Sequence, residues 1–257
     1  MCLLFFAYEY HPNYHLILAS NRDEFYNRPT EPARFWDSHP LVLAGQDLEK
    51  MGTWLGITKF GRFAALTNYR DPSLQIQNSE SRGGLVRDFL ISAEPPERYL
   101  REVVEKRERY NPFNLLLGNV GNLYYFNNIT AEILRLEPGI YGLCNRFLDT
   151  PWPKVEKSKR ALDDYLSHQV WVEPDPVFEL LADPEPALDW ELPDTGIGLE
   201  WERLLSAVFV EGTDYGTKSS AVLLIDRNNQ VFFQEKTFIY GQKQAKETVE
   251  RFDLVYS

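Results

Sequence analysis

An α+β fold, with layers of antiparallel sheet and helix packed on one core, is what this 257-residue sequence predicts. Short apolar runs punctuated by glycines and tight turns fill its opening stretch, which is the pattern of paired strands. Helical runs then alternate with further blocks of short strands, and no repeat or long linker cuts the chain. Residues 1–257 are therefore expected to form a single domain. With 44% apolar and 25% charged residues, a chain of this length buries a large core without needing a disulfide or metal to hold it together.

The first strand is the apolar run Cys2 to Tyr8. His11-Pro12-Asn13-Tyr14 supplies a turn, and His15 to Ala19 returns as the partner strand of a hairpin. Strands follow at Leu41 to Ala44, Thr53 to Thr58 and Arg62 to Asn68, the last two joined through Lys59-Phe60-Gly61. A helix is expected over Leu85 to Leu90 after Ser81-Arg82-Gly83-Gly84. A second opens at Pro96, with Tyr99, Leu100, Val103 and Val104 at helical spacing. Strands resume at Phe113 to Leu117, Leu123 to Phe126, Ile133 to Leu136 and Ile140 to Cys144. Pro153 to His168 forms a third helix, with Val155, Leu162, Tyr165 and Leu166 on one face. The acidic, Pro-rich stretch 173–196 reads as a surface excursion with at most a short helix around Val177 to Leu181. Ala221 to Ile225, Val231 to Gln234 and Thr248 to Val255 are the closing strands.

Charge narrows the function classes. Acidic residues number 38 against 27 basic ones, a net charge of −11. Nucleic acid is an improbable partner, because its binding rests on neutralising phosphates with Lys and Arg. No run approaches about 18 apolar residues, so no stable membrane insertion is expected. The apolar start lacks the basic lead and the length of a signal peptide, and two cysteines suit a reducing compartment. The cytoplasm is thus the expected location.

Cys2 is the most informative position. A small second residue favours removal of the initiator methionine, which leaves a thiol and an α-amine on one residue. That amine titrates near 8 and serves as a local base for its own side chain; while Met1 remains, this self-activation is blocked. The bland alternative is an apolar cysteine opening an edge strand. Against it stands Ser20-Asn21-Arg22-Asp23-Glu24, read as a polar loop directly after the hairpin's second strand and returned by that hairpin to the side of Cys2. There Arg22 is placed to lower the thiol pKa and bind an anion, and Asp23 to hold the α-amine.

Asn21-Arg22-Asp23-Glu24 resembles the name-giving motif of the NRDE family, also called the transport-and-Golgi-organisation protein 2 family. Gly52-Thr53-Trp54-Leu55-Gly56, Leu66-Thr67-Asn68-Tyr69-Arg70 and Ser81-Arg82-Gly83-Gly84-Leu85 match it further. So do Gly142-Leu143-Cys144-Asn145, Pro151-Trp152-Pro153-Lys154-Val155 and Tyr215-Gly216-Thr217-Lys218-Ser219-Ser220. The resemblance implies a four-layer αββα sandwich of antiparallel sheets, like the N-terminal-nucleophile (Ntn) hydrolases of the bile-acid and penicillin V hydrolase type. It further implies Cys2 as the nucleophile, Arg22 and Asp23 as its partners, and Asn68 and Asn145 on the oxyanion side. A preorganised donor there contributes roughly 3–4 kcal/mol to the barrier.

Two departures stand out. Arg22 and Asp23 are adjacent where the hydrolases separate the corresponding pair, so Glu24 is an alternative for the hydrolase Asp. Lys218 stands where the family stretch often has arginine, which keeps the charge and loses the fork.

The family's association with haem trafficking and with acyl-CoA or lipid handling implies a small-ligand pocket centred on Cys2. Asn21, Arg22, Asp23, Glu24 and Lys218 are its expected binding residues, with no cofactor required and haem a possible bound ligand. The alternative is an N-terminal-cysteine amidohydrolase or thioesterase. His11, His15, His39 and His168 are scattered and define no haem-ligand motif, although His15 is placed near the same pocket. Asn114, Asn119, Asn122, Asn127 and Asn128 read as turn residues, Trp54 and Trp152 as packing, and the acids from Glu173 to Glu191 as solvated surface without calcium-loop spacing. No metal site is expected.

Overall fold

The computed structural model describes residues 2–239 and 245–255. Met1, and with it the expected methionine removal, lies outside the described residues. In chain order the strands begin with β1 (Cys2–Tyr8), β2 (Tyr14–Phe25), β3 (Thr30–Trp36), β4 (His39–Asp47), β5 (Leu55–Thr58) and β6 (Phe63–Asn68). Helices α1 (Arg82–Ile91) and α2 (Pro96–Lys106) follow. Next come β7 (Phe113–Asn119), β8 (Asn122–Asn127), β9 (Ile133–Arg135) and β10 (Gly139–Leu143). After α3 (Pro153–Ser167), α4 (Pro174–Leu181) and α5 (Leu199–Leu204), the chain closes with β11 (Tyr215–Asp226), β12 (Gln230–Thr237) and β13 (Lys246–Asp253).

The chain divides into two compact units. The first, Met1–Asn27 with Glu137–Arg251, carries a six-stranded antiparallel sheet in the order β10-β1-β2-β11-β12-β13. Strand alternation sends Leu3, Phe5 and Ala7 of β1, Ile17 and Ala19 of β2, and Val222 and Leu224 of β11 to one face. There they meet Val155 and Leu162 of α3 and Val177 and Leu181 of α4 in one buried cluster. Pro153 at the first position of α3, with Glu156 in its first turn, suits both the missing amide and the helix dipole.

The second unit, Arg28–Leu136 with the chain end from Phe252, carries a seven-stranded antiparallel sheet in the order β3 through β9. Its helix-side core joins Val42, Ala44, Ala64, Leu66, Leu115 and Leu117 to Val86, Phe89, Leu100 and Val103 of α1 and α2. Each unit thus supplies one antiparallel sheet and one helical layer, and the fold class is α+β, as the sequence predicts.

Several elements differ from the sequence reading. Ser20 to Glu24 is not a loop: β2 runs through it to Phe25, and β11 likewise starts at Tyr215, well before the apolar run. Polar residues stay in these strands because their side chains find buried partners, which satisfies the strand ends without solvent. β3 carries Pro32 and was not anticipated. It is an edge strand with a register shift between Glu31 and Arg34, where a residue without an N–H is tolerated. α4 begins at Pro174, three residues before the anticipated turn, and α5 was unforeseen. Asn114 and Asn127 are not turn residues. They are fully buried cross-strand neighbours in β7 and β8, where the Asn114 Oδ1 accepts from Asn127 Nδ2 (2.6 Å) and from the Tyr125 hydroxyl (2.7 Å). Asn114 Nδ2 donates to Thr67 Oγ1 at 2.9 Å.

Candidate functional site

The β1–β2 register places Cys2 directly opposite Arg22, and the β2–β11 register places Arg22 opposite Ser219, which in turn faces Thr237 of β12. Leu143, the last residue of β10, pairs with Leu4, and Asn145 follows two residues beyond that strand end. A row therefore crosses the end of the first sheet: Cys2, Arg22, Ser219, Thr237. Cross-strand partners share a face, and alternation puts this one on the side away from α3 and α4. Two residues along, Ser20 and Glu235 lie on the same face. Ser20, Arg22, Asn145, Ser219 and Glu235 are all buried.

Cys2 is 7% exposed and carries a free thiol. Burial pushes that thiol up to about 11; the Asp23 and Glu24 carboxylates act in the same direction and the Arg22 guanidinium against it. Arg22 does act to lower the thiol pKa, as expected, but desolvation of the thiolate outweighs the cation and the net shift is upward. Arg22 is 5% exposed, and its Nη2 stands 4.0 Å from Glu24 Oε2. Glu24 also accepts from the Phe25 N–H at 2.9 Å.

Asn21 and Asp23 occupy the opposite face of β2. Asn21 is fully buried, donates from Nδ2 to the carbonyls of Leu181 and Val208 (2.9 Å each), and accepts the Ser220 hydroxyl at 2.6 Å. It ties β2 to the end of α4 and to the segment before β11. Asp23 Oδ1 accepts from Thr217 Oγ1 at 2.8 Å, and its carbonyl accepts the Tyr215 hydroxyl at 2.9 Å. Lys218 is the extra residue where the β2–β11 register shifts between Thr217 and Ser219, and its Nζ donates to the Tyr26 carbonyl at 3.1 Å. Asn145 is fully buried and accepts the Cys144 thiol at 3.2 Å.

Asn68 belongs to the second unit, at the end of β6 opposite Phe113. His15 is not beside Cys2. It pairs with Glu9 (2.7 Å) and contacts Arg227 at the far end of the hairpin, roughly 20 Å along β1 by strand rise. Sequence reasoning missed Ser20, Ser219, Glu235 and Thr237. The signal available for one of them, Ser219, was the polar run Thr217 to Ser220 leading into an apolar strand. Among the described residues no group of His, Cys, Asp and Glu is placed to hold a metal ion.

The geometry defines an α+β protein with two helix-backed antiparallel sheets and an N-proximal cysteine set in a buried polar row. The family model of Transport and Golgi organisation 2 matches residues 1–240, and the chain belongs to that family. It is 38% identical over 268 residues to the Transport and Golgi organization protein 2 homolog of Bos taurus, covering 96% of this chain and 97% of that one. The Homo sapiens homolog is 36% identical, covering 93% of this chain and 94% of its own length. Among solved structures, a mutant conjugated bile acid hydrolase from Clostridium perfringens aligns over 98% of this chain and 97% of its own, with 11% identity and a TM-score of 0.46.

Proposed function

We propose that this chain binds and hands on a small anionic amphiphile of the haem or acyl-CoA type, with the Cys2–Arg22 row as the head-group end of its site. The observation that carries the reading is the buried guanidinium of Arg22 directly opposite a thiol that stays protonated at neutral pH. A protein of net charge −11 repels anions at long range, so it needs a local cation to hold one. Arginine offers the bidentate fork that fits a carboxylate, propionate or phosphate. A neutral thiol beside it adds no competing negative charge. Titrating haem and palmitoyl-CoA against the wild type and Arg22→Ala tests this: affinity for at least one falls by about tenfold or more. Unchanged affinity for both removes the reading.

A second reading, an N-terminal-cysteine amidohydrolase or thioesterase, is favoured by the position of Cys2 at the start of β1, directly opposite Arg22. Loss of Met1 places an α-amine on Cys2, where it acts as the base that the thiol otherwise lacks. Turnover of acyl amides or thioesters that disappears in Cys2→Ala supports this reading, and its absence in a protein lacking Met1 excludes it for those substrates.

A further inference from the structure

A cavity of about 570 Å³ opens on the helix-side face of the first unit, between α4 and the ends of β11 and β12. Its volume lies within the range of small-molecule sites. It is separate from the Cys2 row: the Ser220 hydroxyl on its wall donates to Asn21, on the face of the sheet opposite Cys2. Three phenyl rings line it. Phe209 and Phe238 meet edge to face, with centroids 5.0 Å apart, and Phe178 projects from α4.

Aromatic faces carry negative quadrupoles and attract cations, and this wall already does so within the protein, since the Lys236 ammonium sits 4.3 Å from the centre of the Phe178 ring. Lys236 is also paired with Asp175 at 3.7 Å, so its charge is balanced locally. Glu179 and Glu211 add two more carboxylates to the lining. Aromatic walls whose three carboxylates, Asp175, Glu179 and Glu211, outnumber the one lysine select against anions and for a cation with an apolar body.

We propose that this cavity is a second ligand site, for an organic cation of the quaternary-ammonium or aryl-alkylamine class. The cationic centre sits against the Phe209–Phe238 pair within reach of Glu211, and the apolar body fills the space toward Phe178. The site is independent of Arg22 and of whatever the Cys2 row binds.

The test is calorimetric titration of the full chain with benzyltrimethylammonium, benzyl alcohol and phenylacetate, which share an aromatic ring and differ in charge. The cation is expected to bind at least tenfold more tightly than the alcohol, and phenylacetate more weakly than either. Glu211→Gln, on an exposed residue, should weaken the cation about threefold to tenfold with thermal stability unchanged, and Phe209→Ala should weaken it further. Arg22→Ala should leave it unaffected, which separates this site from the proposed head-group site. Equal binding of cation and alcohol, tightest binding of phenylacetate, or a cation affinity insensitive to Glu211→Gln and Phe209→Ala overturns the proposal.

Discussion

Raising the pH tests the environment of Cys2. Burial raises its thiol from 9.0 to about 11, so the folded state holds that proton more tightly than the unfolded chain does. Between those two values the unfolded state binds fewer protons, and stability falls as pH rises. The contribution is fully present below pH 9 and is lost progressively up to about pH 11. From pH 8 to pH 10 the linkage relation gives a loss of about 1 kcal/mol attributable to this one group. Tyrosines that titrate in the same range, such as Tyr110, are raised to about 12 by burial and add their own loss, so the comparison must be differential. Urea unfolding of the wild type and of Cys2→Ala at pH 8, 9 and 10 isolates the thiol: the stability gap between them should shift by about 1 kcal/mol against the wild type. A gap that stays constant, or that moves in favour of the wild type, refutes the claim that burial dominates the thiol.

Four substitutions probe the rest of the frame. Asn21→Ala removes both donors to the Leu181 and Val208 carbonyls and the acceptor of Ser220, so thermal or urea unfolding should show a loss of about 3 kcal/mol or more. Asn114→Ala should cost a similar amount, about 3 kcal/mol, because Thr67, Tyr125 and Asn127 lose a shared buried partner. Tyr125→Phe, which leaves the Asn127 contact in place, should cost nearer 1 kcal/mol. Gly52→Ala would place a Cβ 2.5 to 2.8 Å from backbone atoms of Gly83, so backbone must move; a loss of about 1–3 kcal/mol in the same assay is expected.

That last contact shows what the motifs were recording. Gly52-Thr53 and Gly83-Gly84 lie far apart in sequence, yet Thr53 N–H donates to the Gly83 carbonyl at 3.1 Å and the two glycines allow the backbones to touch. The apolar elements were legible because their periodicity is local: β1, β6, α2 and α3 follow the pattern that alternation and helical spacing dictate. The polar ends of β2 and β11 were not, because runs of four or five polar residues become strand only when neighbouring strands satisfy them, a tertiary fact.

The same limit applied to the site. A hairpin placed Arg22 near Cys2 from sequence alone, but which face each residue takes depends on the register. It is the register that separates Arg22 from Asn21 and Asp23 and recruits Ser219 from β11. The direction of the thiol pKa was likewise out of reach, since it depends more on how completely the strand end is buried than on the cation beside it.

Intact mass of the purified protein under native conditions tests the central claim most directly, because it reads the N-terminus and any retained ligand together. The binding reading predicts a chain that keeps Met1 and carries a noncovalent mass that is lost on denaturation and absent from Arg22→Ala. A chain that begins at Cys2 and accumulates a covalent acyl adduct on that residue when offered an acyl amide or thioester would contradict it.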